Sequence, residues 1–341
     1  MGDALPTRDT SQAGRSGGPP AARRPRRVLV TGAAGFVGAN LVRRLLRDGD
    51  SLDVVIHPGS TPWRLAGLTR RVRVHAVDLT DAPRVGALVR AARPHWVFHL
   101  AAYGAYAWQE DIAAMVQTNL AGTAHLVQAC LDAGVDTVVN TGSSSEYGFK
   151  THAPSEREWL EPNSPYAVTK AAATLFCRHT AQREGLRLPT LRLYSVFGPW
   201  EEPGRLMPTL AAHGLTGRLP PLVAPDTARD YVYVDDVSEA YLLAATVADQ
   251  EPGAVYNVCT GVQTTLREVV ELTRRLLGVR AQPRWGSMSP RAWDTAVWIG
   301  DGTRIRTALG WQPRHTVESG FRRLVAWMRR SAVRDRYRGT R

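Results

Sequence analysis

Two residues four apart, Tyr166 and Lys170 in "YAVTK", suit proton transfer, because i and i+4 share one face of a helix. The chain has 43 basic residues, and only Lys150 and Lys170 are lysines. Lysine presents a compact ammonium where arginine would impose a planar fork. A tyrosine titrates near 10, and moving it to about 7 takes roughly 4 kcal/mol of preferential phenolate stabilisation. An ammonium beside it and a cationic nicotinamide ring are the expected sources. Tyr166 is then expected to exchange a proton with a substrate oxygen while hydride moves to or from a cofactor. Directly after an apolar run lies a second group of interest, "TGSSSEYG" (Thr141–Gly148), with three serines, one acid and one phenol in eight residues.

A third stretch, "TGAAGFVG" (Thr31–Gly38), follows "RRVLV" and opens a helical pattern, the context that a dinucleotide fingerprint requires. Gly32 permits the tight turn, Gly35 lets backbone N–H groups approach a pyrophosphate, and Gly38 allows close helix–sheet packing. Phe36 and Val37 stand in the helix's first turn, whose partial positive charge favours phosphate. The next strand ends "VVIHPGSTPWRL", offering His57, Ser60 and Arg64 but no carboxylate, with Asp53 too early. A site for NAD commonly has an acid there. Its absence favours a 2′-phosphate, hence NADP(H) over NAD(H), with NAD(H) still open.

These motifs need a scaffold. "RRVLVTG", "LDVVIHPG", "VRVHAVDL", "WVFHLAA" and "TVVNTGS" are expected strands, alternating with helices such as "NLVRRLLRDG" and Ala113–Ala133. "LPTLRLYSV" continues the series. Such alternation predicts an α/β fold, a Rossmann-type doubly wound parallel sheet with the strand C-termini at one edge. After Gly198 come Pro/Gly-rich loops, "RDYVYVDD" and helix Leu266–Leu277, read as a smaller C-terminal substrate-binding lobe. The expected division is a disordered basic tail over 1–25, a mainly cofactor-binding region over 26–198, a mainly substrate-binding lobe over 199–330 and a basic tail over 331–341, the chain crossing between lobes.

With 341 residues and 44% hydrophobic content the chain can bury a full core. The net charge of +12 raises the question of nucleic acid. Residues 1–27 contribute +4 of it and residues 322–341 contribute +7. Basicity at two ends is a poor footprint for a nucleic-acid surface, so no such partner is expected. No apolar run reaches the 18–20 residues of a membrane helix. Three scattered cysteines (Cys130, Cys177, Cys259) suggest neither disulfides nor a metal site, and a cytoplasmic setting fits.

TGxxGxxG, Asp78–Leu79, "HLAA" (His99–Ala102), "NLAGT" (Asn119–Thr123), the serine run before Tyr147 and YxxxK together resemble the extended short-chain dehydrogenase/reductases, more narrowly the nucleotide-sugar epimerase/dehydratase/reductase group. The resemblance spans about residues 26–330. It implies that Asp78 and Leu79 flank adenine, that Leu100, Ala101 and Ala102 line the cofactor pocket, and that Asn119 supports the strands near the site. It implies a nucleotide-diphosphate sugar as substrate and a homodimer as assembly. Tyr103 stands at the substrate mouth with Tyr106 and Trp108, and Ser195, Arg205, Arg229 and Arg291 are candidate substrate contacts. Arginine forks match phosphate oxygens. Where the family often has Asn, this chain has Ser195.

The resemblance also places the catalytic hydroxyl four residues before Tyr147, at Ser143. Sugar 4,6-dehydratases of the group carry an acid or an acid–base pair at the next two positions, where this chain has Ser144 and Ser145. A serine is not an efficient acid near neutral pH, so dehydration is disfavoured, and Glu146 is expected to turn towards a backbone or Arg partner. What remains is hydride and proton transfer: NADPH-dependent reduction of a 4-keto-6-deoxy sugar nucleotide, or 4-epimerisation with NAD.

Overall fold

The computed structural model describes residues 25–289, 295–330, 332 and 334–337. All but the last residue of the tail expected over 1–25 lies outside them, as do Arg291 and most of 331–341.

The first strand, β1 (Arg27–Thr31), alternates in the way a two-faced strand must: Val28 and Val30 enter one core cluster and Leu29 the other. Helix α1 (Phe36–Arg47) turns Leu41, Val42 and Leu45 inward and ends where Gly49 takes φ +84°. Strand β2 (Ser51–Ile56) pairs parallel with β1. Strand β3 (Arg73–Ala76) is shorter than the expected "VRVHAVDL" and forms the sheet's outer edge, where Arg73 and His75 suit an exposed position. Helix α2 (Ala82–Ala92) is capped by Asp81, which accepts from the Arg84 N–H at 3.1 Å, and β4 (Trp96–His99) pairs with the other side of β1.

The helix expected over Ala113–Ala133 is interrupted. It consists of α3 (Ile112–Val116), a π turn over Gln117–Ala121 and α4 (Gly122–Asp132). Strand β5 (Thr137–Ser143) is followed by α5 (Pro165–Glu184), with Ser164 as N-cap, Pro165 in the first turn and Gly185 closing it in the left-handed region. The expected single strand "LPTLRLYSV" is two: β6 (Thr190–Leu193) and β7 (Ser195–Phe197) belong to different sheets, divided at Tyr194.

From there α6 (Leu206–Gly214), β8 (Ala228–Tyr233) and α7 (Val234–Thr246) lead to β9 (Val255–Val258), which returns to the large sheet beside β6. Then come β10 (Gln263–Thr265), α8 (Leu266–Leu277), α9 (Thr303–Leu309) and α10 (Val317–Arg330). The large sheet is parallel throughout, in the order β3-β2-β1-β4-β5-β6-β9, and a small sheet has the order β10-β8-β7. This is the expected doubly wound fold. Two apolar clusters cover the faces of the large sheet, and a third, around Phe197, Tyr231, Phe321 and Leu324, packs the small one. Each such fully buried aliphatic or aromatic side chain contributes roughly 1.5–3 kcal/mol. Strand order reverses at β1 and β4, opening a crevice at their C-terminal ends. The glycine-rich turn follows β1 and Leu100–Ala102 follow β4, while the serine run closes β5, the next strand along, and α5 comes after it.

Candidate active site

The glycine-rich turn shows why its glycines are needed. Gly32 has φ +65°, and a Cβ there would lie 2.5 Å from the Ala101 nitrogen. A Cβ on Gly38 would lie 2.3 Å from the Gly32 carbonyl oxygen, so α1 packs directly onto the turn. Gly35 is the N-cap of α1 and has no side chain to offer, leaving the amides of Phe36 and Val37 without a capping partner. Free amides at a helix N-terminus beside the strand crevice fit the diphosphate of a dinucleotide. Leu100 and Ala101 pass against Gly32, Ala102 is exposed, and Leu79 is buried against Gly122. Asp78 accepts from the Thr80 N–H at 2.9 Å and stays partly open, 3.6 Å from His57.

The tip of β2 differs from expectation at one residue. His57 and Ser60 are exposed, but Arg64 is buried: its Nε donates to the Trp200 carbonyl at 2.6 Å and its Nη2 to Glu202 at 2.7 Å. The guanidinium ties two loops together and is not held out to a ribose phosphate. Asp53 is also withdrawn, buried beneath Arg73 and His75 at 2.6 and 2.7 Å. Those partners hold its carboxyl below the usual range against the opposing effect of burial.

On α5, Tyr166 is half-buried and Lys170 buried one turn on. Burial pushes the Tyr166 phenol up to about 12, with the charge of Glu146 adding to the rise and the Ser143 side chain opposing it. Burial likewise lowers the Lys170 ammonium, against the pull of Glu146. In the chain alone burial therefore opposes the expected phenolate, which draws on a cationic nicotinamide ring as well as on the ammonium. Ser143, the last residue of β5, has its Oγ 2.7 Å from Ser145 Oγ, and the Ser145 N–H donates to it at 3.2 Å.

Glu146 turns away, as expected. It is fully buried, accepts from the Ser143 N–H at 2.8 Å and Thr174 Oγ1 at 3.1 Å, and is paired with Arg192 at 2.7 Å. The Ser143/Glu146 capping box fixes the turn after β5. Ser144 is buried, and its hydroxyl accepts from the Trp298 indole N–H at 3.2 Å. The Arg229 guanidinium lies 5.3 Å from that indole ring. Trp298 therefore connects two residues that the sequence left apart, and no spacing signal pointed to it.

Asn119 is placed by the π turn. Its side chain donates to the Tyr103 carbonyl at 2.8 Å and Thr169 Oγ1 at 2.9 Å, and accepts from the Tyr103 N–H at 2.8 Å. It supports the Tyr103 loop and α5 rather than the strands themselves. Extra backbone within a helix commonly marks a functional site. Two residues of quoted motifs meet beneath it: His99 bridges Thr31 Oγ1 at 2.7 Å and Thr123 Oγ1 at 2.8 Å. Burial drives the His99 pKa down to about 3, with Lys170's charge assisting, so the imidazole is a neutral strut joining β1, β4 and α4.

Across the mouth, Tyr106 and Trp108 stack at 4.6 Å, and Arg205 donates to the Ala105 carbonyl at 3.3 Å. Ser195 lies in β7 opposite Tyr231. All three cysteines are buried free thiols. Among the described residues there is no cluster able to hold a metal and no helix long and apolar enough to cross a membrane.

A doubly wound sheet, an uncapped glycine turn at its switch point and a Tyr–Lys pair beside a strand-end serine define a dinucleotide-dependent oxidoreductase fold and site. The chain belongs to the NAD dependent epimerase/dehydratase family, whose model matches residues 28–259. It is 33% identical to the UDP-glucose 4-epimerase of Mycolicibacterium smegmatis over 89% of this chain and 98% of that protein. It is 30% identical to the GDP-6-deoxy-D-mannose reductase of Pseudomonas aeruginosa over 88% of this chain and 96% of that one. The solved dTDP-glucose 4,6-dehydratase DesIV of Streptomyces venezuelae, with NAD bound, superposes with a TM-score of 0.79 at 29% identity, over 89% of this chain and 97% of that one. Relatives of this kind span nucleotide-sugar epimerases, reductases and dehydratases.

Proposed function

We propose that this protein transfers hydride and a proton at C4 of a nucleotide-diphosphate sugar without eliminating water, as an NADPH-dependent reductase of a 4-keto-6-deoxy-hexose nucleotide. The observation that carries the first part is the state of Glu146. The only carboxylate in the serine run is sealed under Arg192, and Ser144 and Ser145 stand beside Ser143. Removal of water across C5–C6 needs an acid at that place, and none of these groups supplies one.

In this reading the bound dinucleotide supplies the hydride. Ser143 holds the sugar oxygen, and Tyr166 gives that oxygen its proton. Lys170, with no ion pair among the described residues, balances the phenolate that results. Gly32–Gly38 bind the diphosphate, while Asp78, Leu79 and Leu100–Ala102 line the adenosine and nicotinamide sides. The substrate lies between Tyr103, the Ser144–Trp298–Arg229 group and Arg205, residues 199–330 mainly forming its lobe. The assembly is a homodimer in the cytoplasm. Exposed Ile112, Val116, Val168 and Leu175 on α3 and α5 support the pairing.

NADPH rests on the β2 tip, which presents His57 and Ser60 without a carboxylate. The second reading is 4-epimerisation with tightly held NAD. It is favoured by the engagement of Arg64 with Trp200 and Glu202, which removes one cation from the 2′ position, and by NAD in solved neighbours. The test follows absorbance at 340 nm with NADPH, then NADH, and a 4-keto-6-deoxy nucleotide sugar. Loss of absorbance with NADPH is expected. No oxidation of either cofactor, with co-purified NAD and interconversion of UDP-hexose isomers, would establish the epimerase instead.

A further inference from the structure

The outer face of α1, away from its glycine-rich end, carries a group of cations that the reaction does not use. Arg43 and Arg47 on α1 and Arg71 before β3 line a groove of about 360 Å³ together with Asn40, Leu46, Leu68 and Asp235. None of the three arginines has an acidic partner among the described residues. Their neighbour Arg44, on the same helix, is fully engaged with Asp48 at 3.1 Å and Glu239 at 2.6 Å. The acids near this face are thus taken by the arginine that does not line the groove. Only Asp235 offsets the three cations, leaving a net charge of +2.

Arg43 is the informative member. It is half-buried, its Nη1 and Nη2 donate to the Ala39 and Arg64 carbonyls at 2.8 and 2.5 Å, and its guanidinium stacks on Trp200 at 4.0 Å. Burial without a counter-charge lowers its pKa to about 10. A desolvated cation held in a fixed orientation, with two exposed ones lining the same groove, is the pattern of an anion site. Leu46 and Leu68 add an apolar wall, and the volume suits a molecule of mononucleotide size.

We propose that this groove is an accessory binding site for a small phosphate-bearing anion, separate from the cofactor crevice. Phosphate oxygens would meet Arg43, Arg47 and Arg71. The shared chemistry is a phosphate or diphosphate group, free or carried by a nucleoside.

The test uses the full chain and its double variant Arg47→Glu/Arg71→Glu, both exposed positions, titrated calorimetrically with pyrophosphate and, separately, with UDP at low salt. The crevice is common to both proteins, so only the groove distinguishes them. Wild type is expected to bind one more equivalent of pyrophosphate than the variant, or to bind it at least tenfold more tightly at the second site. Binding of UDP there tighter than pyrophosphate identifies the nucleoside as part of the ligand; equal binding identifies the bare phosphate group. Equal stoichiometry and affinity in wild type and variant, with both folded by circular dichroism, would overturn the proposal. A control at an exposed arginine that does not line the groove, Arg90→Glu on α2, should leave the extra equivalent in place.

Discussion

Glu146 Oε2 lies 2.7 Å from Arg192 Nε, and neither side chain reaches solvent. Arg192 also donates to the Tyr147 hydroxyl at 2.8 Å, which in turn donates to Asn257 Oδ1 at 2.7 Å. One ion pair and its hydrogen bonds thereby join the turn after β5 to β6 and β9 behind Ser143. A buried pair of this kind adds little over an apolar equivalent, but removing one member leaves an uncompensated charge.

Glu146→Gln is therefore expected to destabilise the protein by about 3–5 kcal/mol. Urea unfolding checks this. The turnover of folded variant should fall less than tenfold, because Glu146 props Ser143 and does not touch substrate. A loss of turnover larger than a hundredfold at unchanged stability would return Glu146 to the catalytic group and revive the dehydratase reading.

Tyr166→Phe removes the proposed acid and leaves the helix intact. Turnover should drop by about 10²–10⁴-fold, with cofactor affinity and melting temperature close to wild type. Single-turnover absorbance together with a fluorescence titration of the cofactor separates these effects.

Arg64→Gln tests what the structure changed. If the guanidinium serves to tie Trp200 and Glu202, the variant melts lower while the ratio of NADPH to NADH efficiency stays within twofold. A selective loss with NADPH would show that the side chain leaves its loop partners for the 2′-phosphate.

Glu201 makes stability depend on pH. It is buried, one carboxylate oxygen has no hydrogen-bond partner, and burial raises its pKa to about 8, against the pull of Arg205 and Arg64. The folded state then holds a proton that the unfolded state releases above about 4.5. The sign follows from linkage: stability from this group is full below about pH 4.5 and declines as pH rises, until about pH 8. Melting temperature should fall across that window in wild type, and the fall should be shallower in Glu201→Gln. Parallel curves would exclude the assignment.

The sheet, its order of elements and the Tyr166–Lys170 turn were legible because each rests on short-range periodicity. The glycine turn was legible because its steric demand is local: a Cβ at Gly32 or Gly38 has nowhere to go. The burial of Arg64 was not legible because its partners, Trp200 and Glu202, are more than a hundred residues away, and sequence spacing carries no record of them. The π turn at Asn119 was missed since an inserted residue leaves the apolar helical pattern on either side almost unchanged. The surroundings of Tyr166 were legible only in part: the spacing places an ammonium one turn away but carries no record of how far burial raises the phenol in the chain alone. Trp298 needed the packing of the segment after Thr295 against the serine turn.

The return of β9 to the large sheet has a consequence for how the chain acquires this structure. Val255–Val258 hydrogen-bonds alongside Thr190–Leu193 only after the segment that supplies β7, α6, β8 and α7 has been made. Until then the edge of β6 stands open, with apolar Leu191 beside unpaired amides, a template for wrong partners. Closing so long a loop is slow, because its ends must meet before the contact rewards them. The two sheets are thus laced by one thread, and a fragment ending near Gly198 is expected to aggregate rather than fold as half an enzyme.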